Sequence, residues 1–454
     1  MEVGTGALIV SEVVAHTTGG TGFWLSIVIF VITFGIILSE RIHRSVIGLI
    51  GALVMVIAGM FFGFYSPEGA KAAIDFNTIG LLFGMMVIVA ILEQTGAFQY
   101  LGIKVAKKTG GNLWKLTVAL GTLTTLLSLI LDNVTTIILI VPITIIICKI
   151  LRLNPTPILM AEALLSDTGG VATLVGDPPN IMIGSVAGFS FTDFLVHSMP
   201  IVFVAWFLTL FTLKIVFKKE LQEKPDPKAI EDLMKMKEEE AITDPETLKK
   251  ILVVLGIVVI LFFVHHIIHI SPSMVAIIGA SLALILVSAT KDPQKILEKL
   301  ELSVLLFFGA LFVIVGGLEH AGVLKALAEL ITAGAADNIL VTALIVLWVS
   351  AVLSALVDNI PMTVAMLPII AYLQYEVQLP GVELLWWALV FGVGFGGNAS
   401  PIGSTANIIV VSKSEQTDNP ITFRGWMKSG LSTAFVSLVT ATGGLYILSL
   451  FIVK

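Results

Sequence analysis

The chain has 454 residues, of which 57% are hydrophobic and 13% charged, with a mean hydropathy of +1.01. Soluble domains carry roughly 25% charged residues, so a water-soluble globule is excluded and lipid is the solvent for most of this chain. The net charge of −6 points away from nucleic acid. The single cysteine, Cys148, excludes an internal disulfide or a cysteine-rich metal site and reads as a small buried hydrophobe.

In chain order, residues 1–21 lack the basic start and long apolar stretch of a cleavable signal peptide, so they are expected to form an extracytoplasmic segment. Apolar runs near bilayer length predict spanning helices at 22–39, 45–64, 78–96, 157–194 (interrupted), 198–217, 251–270, 273–290, 303–321, 382–412 (interrupted) and 429–451. The stretches 113–150 and 339–373 are each two apolar runs flanking a polar break. Each is read as a re-entrant hairpin, since irregular backbone at membrane depth is tolerated only inside protein or beside a water-filled cavity. The segment 218–250, with 8 basic and 10 acidic residues, is a cytoplasmic linker with a short amphipathic helix expected around Ala229–Met236. With the N-terminus outside, 23 of the 26 basic residues fall on the cytoplasmic side, Arg41 and Arg44 among them. That bias obeys the positive-inside rule and requires the hairpins, because a full crossing at 113–150 would invert everything after it.

The chain also matches itself. Glu93 aligns with Glu319 and Asp132-Asn133 with Asp358-Asn359 at an offset of 226. Gly169-Gly170 aligns with Gly396-Gly397, Gly176 with Gly403 and Asn180 with Asn407 at an offset of 227. The fold class expected is therefore an all-α polytopic membrane protein made of two repeats, 22–217 and 251–454. Each holds five crossings and one hairpin, an odd number of crossings, so the repeats lie in opposite orientation.

Polar residues concentrate at four breaks: Asp132-Asn133-Val134-Thr135-Thr136, Gly176-Asp177-Pro178-Pro179-Asn180, Asp358-Asn359-Ile360-Pro361, and Asn398-Ala399-Ser400 through Ser404-Thr405-Ala406-Asn407. Proline breaks a helix ladder and glycine permits the turn beside it. Exposed carbonyls and Asp or Asn oxygens suit a cation such as Na⁺, whereas half-helix N-termini suit an anion. The candidate binding residues are Asp132, Asn133, Thr135, Thr136, Asp167, Thr173, Asp177, Asn180, Asp358, Asn359, Asn398, Ser400, Ser404, Thr405 and Asn407, with Na⁺ expected at Asp132, Asn133, Asp358 and Asn359. The competing reading is helix capping, which Asp and Asn commonly perform; two symmetry-related pairs favour a site. Glu93 and Glu319 read as interfacial anchors. His265-His266 and His269 lie without a nearby carboxylate in sequence, and Gly392-Val393-Gly394 has no strand before it, so neither is read as a metal or dinucleotide site. The chain contains no Walker motif.

At these residues the sequence resembles the ion transporter superfamily, in its arsenite-permease and NhaD-type sodium/proton antiporter branch. The Asp132-Asn133…Thr135-Thr136 and Gly176-Asp177-Pro178-Pro179-Asn180 motifs are most similar to those of the melanocyte P protein and its bacterial relatives. The resemblance covers about residues 40–450. It implies a homodimer with scaffold helices and a mobile transport domain that holds both hairpins and both interrupted helices, with the binding residues at the four breaks. Members handle sodium and protons, arsenite, silicic acid or carboxylates. Related carboxylate transporters carry Ser-Asn-Thr at the hairpin tips where this chain has Asp-Asn, and an aspartate repels a dicarboxylate unless it is protonated or paired with a cation. The expectation is a non-enzymatic, multi-pass transporter of the plasma (inner) membrane. It would need no cofactor, use Na⁺ or H⁺ as coupling ion and work by alternating access, with Na⁺/H⁺ antiport first and an anion or oxyacid permease as the alternative.

Overall fold

The computed structural model describes residues 20–38, 42–288, 291–327, 329 and 338–452. Most of the expected N-terminal segment, residues 1–19, lies outside the described residues, as do 39 and 289–290 at the ends of two expected spans. Among the described residues the regular structure is helical throughout.

The first half runs α1 (Thr21–Leu38), α2 (Arg44–Phe62), the short α3 (Pro67–Ala72), α4 (Phe76–Glu93), α5 (Ala97–Lys108), α6 (Leu113–Ser128), α7 (Asn133–Leu151), α8 (Thr156–Gly170) and α9 (Pro178–Ala187). It closes with α10 (Phe191–Val216). A linker helix, α11 (Pro227–Lys235), leads to the second half. That half runs α12 (Pro245–Val264), α13 (Pro272–Val287), the short α14 (Pro293–Leu297), α15 (Leu302–His320), α16 (Ile339–Val357), α17 (Asn359–Tyr375), α18 (Glu383–Gly397), α19 (Thr405–Ser414) and α20 (Phe423–Ile452). Eight of these are long and apolar enough to cross a membrane: α2, α4, α7, α10, α12, α15, α16 and α20.

The packing repeats as the sequence does. Helix α2 lies against α15 and, with the halves exchanged, α13 lies against α4; α6 packs on α8 as α16 packs on α18, and α9 meets α17 as α19 meets α7. The related helices α10 and α20 pack directly together. Thr209 meets Ser437 at 3.3 Å, whereas the earlier Ile201 meets the later Gly444, so the two run antiparallel. The axis that exchanges them is therefore perpendicular to the helices, the geometry of an inverted repeat. Pro142 inside α7 and Pro368 inside α17 keep the same offset of 226.

Several boundaries differ from expectation. The span expected at 251–270 is α12, which starts at Pro245 because Asp244 caps it, accepting from the Thr247 amide at 3.0 Å. It stops at Val264, which leaves His265–His269 in a turn rather than on the helix end. The interrupted helix expected to reach 194 ends at Ala187, where Gly188 takes a left-handed φ of 77°. Residues 191–194 belong instead to α10, which passes through a π-turn at Phe194–Ser198 where a boundary was expected. The final helix starts at Phe423 rather than at 429. The amphipathic α5, with Lys107 and Lys108 in its last turn, was not expected from the apolar runs.

The interrupted helices cross their own chain. A Cβ on Gly170 would lie 2.6 Å from the Gly176 carbonyl oxygen, and one on Gly397 would lie 2.7 Å from that of Gly403. The reverse approaches, at Gly176 and Gly403, are both 2.5 Å. Only glycine permits that backbone contact. Gly176→Ala and Gly403→Ala are each expected to destabilise the chain by about 1–3 kcal/mol, read as a lowered unfolding temperature in detergent.

The 218–250 linker is docked rather than free. Lys107 donates to the Met236 carbonyl at 3.0 Å and pairs with Glu238 at 2.5 Å, and Thr243 N–H donates to the Thr95 carbonyl at 3.0 Å. The Lys107 ammonium holds Glu238 below the usual carboxylate value. The Thr247 hydroxyl and amide, with Lys291, do the same for Asp244. A depressed carboxylate contributes stability above its ordinary value and loses it as pH falls through the folded one. Cleavage within 218–250 by pepsin is therefore expected to accelerate as pH drops below about 4, against a slower background of cuts in the helices.

Candidate ion and substrate site

Four helices begin inside the apolar body: α7, α9, α17 and α19. Their N-cap residues are Asp132, Asp177, Asp358 and Ser404. A helix N-terminus carries roughly half a positive charge, so the convergence of four of them stabilises carboxylates withdrawn from water. Asp177 and Ser404 occupy equivalent positions in the two repeats, as do Asp132 and Asp358.

Asp132 and Asp177 use their carboxylates differently. Asp132 caps: it accepts from the Thr135 amide at 2.9 Å and the Thr135 hydroxyl at 2.6 Å. Asp177 makes no capping bond. Instead it accepts from Asn359 Nδ2 at 3.3 and 3.1 Å on its two oxygens, and from Asn133 Nδ2 at 3.4 Å. The first residue of α7 and its repeat counterpart, the first residue of α17, thus meet on one carboxylate. Asn133 donates also to Asp167 Oδ1 at 2.9 Å, and Ser404 donates to the same oxygen at 3.2 Å. Asp167 and Asp177, both buried, face no basic side chain among the described residues within ion-pair distance.

Asp358 has a different environment. Its φ of 87° lies in the left-handed region, where a non-glycine residue costs about 1–3 kcal/mol. It accepts from the Thr405 hydroxyl at 3.0 Å and pairs with Arg44 at 3.4 Å. Arg44 donates to Thr405 Oγ1 at 2.6 Å and lies 5.3 Å from the centroid of the Phe307 ring. Counted in sequence among the cytoplasmic charges, Arg44 in fact reaches from the first turn of α2 to the N-terminus of α19.

The remaining candidates brace the breaks. Asn180 Nδ2 donates to the Gly170 and Thr173 carbonyls at 3.0 and 2.8 Å, and Asn407 Nδ2 donates to those of Gly397 and Ser400 at 3.0 and 3.2 Å. Thr173 donates to the Leu129 carbonyl at 2.8 Å, and Ser400 likewise to Ala355, tying each interrupted helix to its hairpin. Asn398 donates to the Leu164 carbonyl and the Thr168 hydroxyl, at 3.2 and 3.0 Å, linking the two interrupted helices. Buried oxygens without a hydrogen-bond partner include Asn133 Oδ1, Thr136 Oγ1, Asp167 Oδ2, Asp358 Oδ1, Asn398 Oδ1 and Asn407 Oδ1. Such acceptors fit a bound cation or proton. Among the described residues no group of three or more His, Cys, Asp or Glu side chains gathers as a metal site, so any cation here would be held by carboxylate, amide and hydroxyl oxygens together.

Two cavities flank α4. One, about 350 Å³, is lined by Asn77, Leu81, Ile181, His265 and Ser271. The other, about 340 Å³, lies at the opposite end against Glu93, Thr135, Lys299 and Glu301 and so approaches the Asp132 tip.

Sequence reasoning missed Arg44 and Glu162. The latter is a fully buried residue of α8 that accepts from the Thr144 hydroxyl at 2.5 Å. Its signal was available: it is the lone charge in the apolar run 157–166, and an ionisable residue at membrane depth marks function by default.

Discontinuous helices paired by an internal two-fold, with buried carboxylates at their ends, define a polytopic membrane transporter. The chain belongs to the citrate transporter family CitMHS, whose pattern it matches over residues 34–392. It is 36% identical to a 46 kDa membrane protein of Mycobacterium leprae over 93% of this chain and 97% of that one. It is 37% identical to an uncharacterised transporter of Mycobacterium tuberculosis, over 92% and 96% of the two chains. The human P protein is 30% identical over 89% of this chain, which spans 57% of that protein's length. In fold it is similar to the YdaH transporter of Alcanivorax borkumensis, with a TM-score of 0.57 at 12% identity, covering 91% of this chain and all of that one.

Removing Arg44 leaves Asp358 without its ionic partner. Arg44→Ala is expected to lower stability by about 1.5–3 kcal/mol, the size of a charged hydrogen bond. Asp358→Asn in the same chain is expected to recover part of that loss in a double-mutant cycle of thermal unfolding.

Proposed function

We propose that this chain is a secondary active transporter coupled to Na⁺ or H⁺, with Na⁺/H⁺ antiport as its leading form. The observation that carries this reading is the pair Asp167 and Asp177, buried, joined through Asn133 and without a basic partner among the described residues. Two such carboxylates cannot both stay charged and unneutralised at membrane depth. A proton or a small cation supplies the missing charge, and exchange of one for the other is antiport. The Na⁺ ligands are taken from the hairpin tips, Asp132, Asn133, Asp358 and Asn359, together with these two carboxylates.

In this reading the protein lies in the plasma membrane with its N-terminus outside, the α6–α7 hairpin opening to the cytoplasm and the α16–α17 hairpin to the exterior. Two copies assemble through scaffold helices, and the hairpins and interrupted helices move together between the faces. The two cavities at opposite ends of α4 are the approaches from either side.

A second reading has its own support. The Arg44 guanidinium at the N-terminus of α19 is an anion site by chemistry, and Asp358, paired with that cation, no longer repels a carboxylate. A small carboxylate or oxyacid could take the place of Asp358 on Arg44 and Thr405.

Purified protein in proteoliposomes under imposed Na⁺ and proton gradients separates the two. The coupled reading expects Na⁺-driven proton movement, lost in Asp132→Asn and Asp358→Asn. Retention of wild-type movement in both would sink it. Citrate or arsenite uptake that ignores Na⁺ and pH would establish the permease.

A further inference from the structure

Glu162 has no part in the site just described. Its α8 position lies six residues from Thr156 at the start of the helix and five before Asp167. Those steps are about 9 and 7.5 Å along the axis, so it stands between one face of the protein and the buried carboxylates. Oε1 accepts from the Thr144 hydroxyl of α7, while Oε2 is buried and without a partner. Two more unpartnered buried hydroxyls fill the interval. Ser166 Oγ is one turn along the same face of α8, next to Asp167 in sequence; Thr136 Oγ1 is one turn beyond Asn133 on α7. Five of the nine buried polar atoms without partners thus lie on α7 and α8: Asn133, Thr136, Glu162, Ser166 and Asp167.

The internal repeat shows that this polar strip is not a requirement of the fold. At the offsets that align the hairpins and the interrupted helices, Thr136, Thr144, Glu162 and Ser166 correspond to Met362, Ile370, Leu389 and Val393. The second half closes the same helix seam with apolar side chains, so the first half's strip is an addition to it.

We propose that Glu162 is a proton-relay residue joining the α7–α8 end of the molecule to the four-break site; the proposal rests on the proton-coupled reading above. The carboxylic acid releases its Oε2 proton to water that bridges the Ser166 and Thr136 hydroxyls, and the proton passes on along that water to the four-break site; none of the three oxygens is hydrogen-bonded to another directly. The resulting carboxylate keeps the Thr144 hydrogen bond and takes a proton back from water at the α7–α8 end. No bond other than O–H is made or broken. Thr144 and the buried thiol of Cys148, both of α7, face Glu162. The basic residues of the helices packed on α8 do not offset its charge at close range: Lys115, Lys149, Lys214, Arg424 and Lys428 are exposed and His197 and Lys413 are half-buried. Of the acidic residues on these helices, Glu383 of α18 is exposed and Asp193 of α10 is half-buried at the far end of that helix, accepting from the Ser190 amide and hydroxyl.

Glu162→Gln preserves the shape and the acceptor for Thr144 while removing the proton. In proteoliposomes it is expected to slow proton flux at least about tenfold and flatten its pH profile, with the thermal shift produced by Na⁺ retained. Glu162→Asp should restore part of the flux. Ser166→Ala, which loses only an unpartnered hydroxyl, should also slow it and serves if the Gln variant does not fold. Wild-type proton flux with a wild-type pH profile in Glu162→Gln, or in Ser166→Ala where that variant decides, overturns the relay alone. A wild-type chain that moves no protons under any gradient overturns the relay together with the coupled reading.

Discussion

The structure depends on one carboxylate held by two amides. Asp177 accepts a hydrogen bond from Asn133 at one hairpin tip and from Asn359 at the other. Neither tip could sit at this depth unless its backbone ends were satisfied, and the helix N-termini at the tips and breaks are what stabilise a charge there. Remove the carboxylate and the Asn359 amide loses its acceptor in an apolar body, while Asn133 keeps only its bond to Asp167. Remove the tips and an aspartate is left buried beside Asp167. Each half of the repeat therefore supplies one amide to the same carboxylate.

The repeat sets this geometry, and departures from it set the chemistry. Glycine pairs at 170/176 and 397/403, asparagine braces at 180 and 407, and hairpin ties from Thr173 and Ser400 are the same in both halves. These are the parts that build two discontinuous helices. The acids are not distributed symmetrically. Asp177 is matched by Ser404, Asp167 by Gly394, and the related pair Asp132 and Asp358 split into a helix cap and an ion pair. A symmetric frame thus carries an asymmetric charge set, with Arg44 paired to Asp358 and no basic partner for Asp167 or Asp177 among the described residues.

Much of this was legible in the sequence, for identifiable reasons. Proline and glycine in apolar runs, beside Asp-Asn or Asn, locate the breaks, and the offsets of 226 and 227 pair them. Which aspartate caps its own helix and which accepts from the two asparagine amides was not legible, because both roles use the same residue types; only the aim of the side chain separates Asp132 from Asp177. Arg44 was hidden by the positive-inside pattern, which treats every basic residue near a helix end alike. Glu162 was overlooked because it belongs to no break. Helix α5 escaped because it is short and amphipathic, and the start of α12 was misplaced because its first turn, Pro-Glu-Thr-Leu, is polar like the linker before it. The P protein motifs anticipated the relatives found, including the human P protein.

The most direct test of the central role of Asp177 is cation-driven flux through Asp177→Asn. This variant keeps the side-chain volume and removes the charge. The protein should remain folded in detergent yet lose Na⁺-driven proton movement in proteoliposomes under both imposed gradients. Movement at the wild-type rate, with wild-type dependence on Na⁺ and pH, would contradict the account.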